Sequence, residues 1–138
     1  MSEGKYARLI KFEPLDKSSH TAVLHPMIRY KGKEYANADF TYSLTYVTQP
    51  FTMIKEPHKH DFDQFVAFMG GNPADFQDFD AEIEFYIEGE KYIIDKTATI
   101  HVPKGTIHGP LHYKRVGKPL LFLDMTITGS YVKLPTDK

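Results

Sequence analysis

The chain contains no cysteine. Disulfides, a thiolate nucleophile and any cysteine-held metal are therefore excluded. It also lacks an excess of charge of either sign. Seventeen Lys and Arg stand against 18 Asp and Glu, for a net charge of -1, so nothing in the balance points to nucleic acid or an anionic membrane as a partner. Long apolar runs are missing too. The longest, such as "PLLFL", are far too short to cross a bilayer. The opening "MSEGKYARLIKFEP" has no apolar run of the secretory kind, and a cytoplasmic protein is expected. No window shows a helical repeat with caps, and there is no internal repeat or low-complexity segment. With 138 residues, 41% of them hydrophobic and 25% charged, the composition is that of an ordinary globular domain with one core.

Aromatic residues are plentiful, 10 Phe and 9 Tyr, which favours strands. Strand-like segments run through the chain: "HTAVLHPMIRY", "DFTYSLTYVTQ", "QFVAFM", "AEIEFYIEGEKYII", "TATIHV" and "KPLLFLDMTIT". In the second, Phe40, Tyr42, Leu44 and Tyr46 alternate with Thr41, Ser43 and Thr45, a period of two. In the fourth, Ile83, Phe85 and Ile87 alternate with Glu82, Glu84 and Tyr86, and "EGE" supplies a hairpin turn. Many short strands divided by Gly and Pro turns predict an all-β sandwich or small barrel. Residues 40–130 are expected to form the barrel core. Residues 1–39 would extend it or contact a partner subunit, and 131–138 would be a tail.

Two stretches carry chemistry. In "EPHKHDFDQFVAFMGG", His58 and His60 are two residues apart. On a regular strand they would share a face with Phe62 and Gln64 and could converge on one ion. Imidazole suits Zn, Fe, Cu and Ni. An H-x-H pair alone is weak in a chain with 7 His. The second stretch, "IHVPKGTIHGPLH", is more specific: Pro103-x-Gly105 makes a tight turn and His108 follows three residues later.

Together these stretches resemble the two motifs of the cupins, G-x5-H-x-H-x3,4-E-x6-G and G-x5-P-x-G-x2-H-x3-N. His58, His60, Gln64 and Gly71 match the spacing of the first; Pro103, Gly105, His108 and His112 match that of the second. The resemblance covers roughly residues 40 to 127. The leading glycines are replaced by Thr52 and Thr97, the glutamate by Gln64 and the asparagine by His112. The resemblance implies a double-stranded β-helix, or jelly-roll barrel, with a site in its mouth. It implies one divalent transition-metal ion (Fe, Mn, Ni, Zn or Cu) on His58, His60 and His108, with Gln64 as a fourth ligand. It further implies a homodimer and a small-molecule substrate or ligand.

A neutral glutamine oxygen would leave the ion its full charge, which favours an anionic substrate. The resemblance implies, as the expected activity, a metal-dependent, dioxygenase-like oxidoreductase acting on a small oxygenated molecule. Gln64 would orient substrate and His112 would transfer protons. Alternatives are a Lewis-acid lyase or isomerase on a sugar or organic acid, a non-catalytic ligand-binding or sensor barrel, and a metal-free carbohydrate-modifying barrel. His101 is expected outside the site, His20 and His25 structural or exposed, Glu82 and Glu84 solvated, Tyr42, Tyr46 and Phe62 in the core, and Arg29 and Lys31 on the surface.

Overall fold

The computed structural model describes residues 4–134 and 136; residues 1–3, 135, 137 and 138, parts of the expected N-terminal segment and tail, lie outside that description. The strands are β1 (Leu15–Asp16), β2 (Met27–Lys31), β3 (Thr41–Val47), β4 (Phe51–Ile54), β5 (Gln64–Gly70), β6 (Ala81–Ile87), β7 (Glu90–Ile94), β8 (Ala98–Val102), β9 (His108–Val116) and β10 (Leu120–Thr126). They form two antiparallel sheets, ordered β1-β2-β3-β10-β5-β8 and β4-β9-β6-β7. Sequence neighbours are often far apart in these orders, as a jelly roll requires. Among the described residues, helix is confined to a 3₁₀ turn at Ala7–Leu9 and one short helix, α1 (Gly32–Ala36). No helix among the described residues is long and apolar enough to cross a membrane.

Local chemistry explains the turns. Glu88 and Gly89 both have positive φ, 50° and 80°, the backbone a two-residue hairpin loop needs between β6 and β7. Glu88 is held there from both sides: its N–H donates to the Ile107 carbonyl, and its carboxylate accepts from the Ile107 N–H.

The facing of the strands sets the interior. Val47, Val66, Phe68, Ile83, Phe85, Leu111, Leu120 and Phe122 meet between the sheets in one buried cluster. Each such side chain contributes about 1.5–3 kcal/mol relative to exposure. On β6 the expected stripe does face inward: Ile83 and Phe85 are buried, while Glu82 is exposed and Glu84 half-buried.

On β3 the expected facing is reversed. Thr41, Ser43, Thr45 and Val47 are the buried row, and Tyr42, Leu44 and Tyr46 lie half-buried on the outer face. A period of two identifies the two rows but not which one faces in. Here the polar row does, because its partner row on β10 turns polar at the same level: Ser43 pairs with Asp124 and Thr41 with Thr126.

Candidate metal centre

His108 is the first residue of β9. His58 lies on an irregular stretch before β5, not on the regular strand that the spacing predicts. The two residues exchange both backbone hydrogen bonds, His58 N–H to His108 O at 2.9 Å and His108 N–H to His58 O at 2.8 Å. Residues paired in this way project side chains to the same side. Gly109 allows the approach. Its φ is +95°, and a Cβ there would lie 2.9 Å from the Ile54 side chain and 3.3 Å from the Glu56 carbonyl. His60 is fixed through the Pro103-Lys104-Gly105-Thr106 turn. Gly105, at φ +81°, occupies the position of a type II turn that needs positive φ. Its N–H donates to the His60 carbonyl at 2.9 Å.

The three rings converge. Their centroids are 4.3 Å apart for His58 and His108, 4.8 Å for His58 and His60, and 5.0 Å for His60 and His108. Each Nδ1 meets a backbone carbonyl: His58 that of Glu56, His60 that of Val132, and His108 that of Thr106, at 3.3, 2.6 and 3.0 Å. A carbonyl can only accept, so each Nδ1 carries the proton and each Nε2 presents a lone pair. Burial also favours the neutral rings. It lowers the pKa of His60 and pushes those of His58 and His108 down to about 4, with the neighbouring His108 adding to the effect on His58.

Among the described residues, the buried side-chain nitrogens and oxygens without a hydrogen-bond partner are His58 Nε2, His60 Nε2, His108 Nε2 and Gln64 Oε1. A buried polar atom left unpaired costs about 1–3 kcal/mol, so a cluster of them marks a place built for a ligand. The donor atoms of the three histidines lie within 4.8 Å of one another. The donor set therefore fits a transition-metal ion.

Gln64, the first residue of β5, lines a cavity of about 810 Å³ together with His108. Its amide nitrogen donates to Asp124 Oδ1 at 2.8 Å. Burial pushes the Asp124 carboxyl up to about 6, opposed by that hydrogen bond. One wall of the cavity is apolar, with Met53, Ile54, Phe85 and Leu111; another carries Thr41, Ser43, Thr45 and Thr126. The Tyr131 ring also lines the cavity, 4.7 Å from the His60 ring and 5.9 Å from that of Phe62. Burial and the Asp124 carboxylate raise its phenol pKa, while the Gln64 amide acts the other way.

Several expectations need correction. Arg29 and Lys31 are not merely surface residues; both line the cavity. Arg29 Nε donates to Ser43 Oγ at 3.1 Å, and both cations pair with Asp16, at 3.3 and 3.4 Å. His112 does not reach the cavity. Its Nδ1 lies 2.9 Å from Thr52 Oγ1 on the outer face of the smaller sheet, near Tyr86. The cause is a register shift: Phe85 pairs with Leu111 but Ile87 with His108, so an extra residue on β9 reverses the facing between His108 and His112. Residues 131–134, expected as tail, return to the site. Val132 holds His60, and Leu134 and Lys59 exchange backbone hydrogen bonds. His20 lines the cavity, whereas His101 lies outside it against Asp63. Sequence reasoning missed Asp124 and Tyr131. An acidic residue inside the apolar run "PLLFLDMTIT", on the parity of Leu120 and Phe122, is a signal for Asp124.

No protein-family model matches the sequence, and none of the curated proteins matches it. Solved structures do match in shape. KdgF from Halomonas sp. shares 15% identity at a TM-score of 0.53, over 82% of this chain and 84% of that one. An oxalate oxidase, in complex with the substrate analogue glycolate, shares 13% at a TM-score of 0.60, over 97% of this chain and 66% of that one. A cupin superfamily protein from Desulfitobacterium hafniense shares 15% at a TM-score of 0.51, over 80% and 82%. The chain has the cupin fold. In this cupin barrel the three buried histidines can hold a metal ion.

Proposed function

We propose that the chain is a metal-dependent enzyme in which His58, His60 and His108, with Gln64 as fourth donor, hold one divalent transition-metal ion beside a small oxygenated organic anion. The supporting observation is that, among the described residues, the buried partnerless side-chain atoms belong to these four. When bound, the ion would supply Lewis acidity and, if redox-active, a place for oxygen chemistry. The chain's own residues do the rest. Carbonyl partners on Nδ1 fix the tautomer and aim of each ring. Arg29 and Lys31, on the cavity wall, attract and orient an anion. The Ser43 hydroxyl accepts from Arg29 Nε and keeps its own hydrogen for one of the anion's oxygens, while the apolar wall keeps water away from the reacting end.

A dioxygenase-like oxidation is the preferred reaction, with a Lewis-acid lyase or isomerase reaction as the alternative. The oxalate oxidase neighbour binds glycolate in the same fold, which makes small hydroxy- and oxo-carboxylates the first substrates to try. Three imidazoles and one amide oxygen accept Fe, Mn, Ni, Zn or Cu. The test is a screen of such acids with the metal-loaded protein, following oxygen uptake and product formation by mass spectrometry. Turnover with oxygen uptake is expected. Turnover without it moves the reaction to the lyase or isomerase class. Acids that raise thermal stability yet are recovered unchanged would instead make the barrel a binding module.

A homodimer belongs to the same proposal. The outer face of the larger sheet carries contiguous, half-buried apolar side chains, Tyr46–Leu121–Met69 and Leu44–Leu123. Such a patch suits a second copy of the chain.

A further inference from the structure

We infer that Asp124 is a positioning residue that determines why position 64 is a glutamine: its carboxylate takes the Gln64 amide hydrogen and so presents Oε1, rather than the NH2 group, to the cavity. The inference rests on the proposed metal site, and it concerns how that site's fourth donor is oriented.

An amide side chain can turn either end toward a ligand. A carboxylate beside it removes the choice, because it only accepts. Asp124 Oδ1 lies 2.8 Å from Gln64 Nε2, while Oε1 is buried and without a partner. Asp124 is held in place by the fold. It lies on β10 between the neighbours Ser43 on β3 and Val66 on β5, and it lines the same cavity as Gln64 and His108. The negative charge that a glutamate would bring to position 64 is thus present on Asp124, the hydrogen-bond partner of the Gln64 amide. A glutamate at position 64 would put its own carboxylate, a second acceptor, against that of Asp124 with no hydrogen between them. The two positions should therefore behave as a pair, Gln with Asp or Glu with Asn, since an asparagine NH2 can donate to a glutamate as Gln64 now donates to Asp124.

A double-mutant cycle tests this, with Gln64→Glu, Asp124→Asn and the two combined. The first readout is the dissociation constant of Mn and Zn, each titrated alone. Gln64→Glu is expected to be more favourable to metal binding by about tenfold or more in the Asp124→Asn background than in the wild-type one. The second readout is the thermal midpoint of metal-stripped protein at pH 8. There Gln64→Glu should lower the midpoint in the wild-type background and lower it less when combined with Asp124→Asn. Equal effects of Gln64→Glu in both backgrounds, in both readouts, would overturn the pairing. Coupling in the thermal midpoint with no metal bound by any variant would uphold the pairing and contradict the metal site.

Discussion

At the Gly70 end of β5, the inward positions of β3, β5 and β10 carry Val47, Phe68, Leu120 and Phe122; toward the Gln64 end the same strands carry Thr41, Ser43, Gln64, Asp124 and Thr126. One set of strands, with one parity, therefore builds two interiors. The first is close-packed and apolar and makes no demand for partners. The second holds the buried partnerless atoms found among the described residues. Stability and chemistry are thus divided along the length of the barrel, with the apolar end holding rigid the strands on which the polar end depends. The long loop Asn72–Asp80 belongs to the apolar end. Its Asn72 and Asp78 border a smaller cleft with Lys118, and none of its residues lines the main cavity.

The largest effect should come from the apolar end. Phe68→Ala is expected to cost about 3–5 kcal/mol in urea unfolding, with the surviving folded protein still taking up metal in full proportion. Loss of metal binding from the folded fraction would mean that the two ends are not separable.

Next is the pH response of metal-stripped protein. The His58 and His108 rings are held neutral down to about 4, against about 6.5 in an unfolded chain. Their lowered values favour the folded state fully above about pH 6.5. As pH falls from there toward 4, the unfolded chain takes up protons first and that stability is lost. Calorimetry should show the thermal midpoint dropping across this window, and the drop should shrink in a variant carrying His58→Gln and His108→Gln together. A flat profile in wild type would mean the rings are not desolvated.

A smaller effect is expected at the cavity wall. Arg29→Gln should raise KM for an anionic substrate by about tenfold, as loss of one charge-assisted hydrogen bond would, with kcat little changed. Equal falls in kcat and kcat/KM would place Arg29 in the reacting geometry instead. The smallest effect belongs to His112→Ala, which should leave metal affinity unchanged and move stability by no more than about 0.5 kcal/mol. A marked loss of activity would return His112 to the site.

Much of this division is legible in the sequence, and the failures have physical causes. The alternation in β6, the "EGE" turn and the two histidine motifs each depend on local spacing, and local spacing survives folding. The facing of β3 depends on what β10 and β5 place opposite it, which no single strand reveals. His112 keeps the motif's spacing yet misses the site: it lies four positions after His108, an even offset that keeps the facing on a regular strand, and the extra residue on β9 breaks that count. Arg29 reads as surface because its approach to the cavity depends on β2 pairing with β3. Residues 131–134 have no period at all, so their return to His60 leaves no pattern to find.

The most direct test of the central claim is the metal content of untagged purified protein by mass spectrometry, measured beside His108→Ala. About one transition-metal ion per chain is expected in the wild type, and its loss in the variant, which removes one of the three lone pairs. A wild type that stays metal-free after reconstitution, or a variant that keeps its ion, would contradict the three-histidine centre.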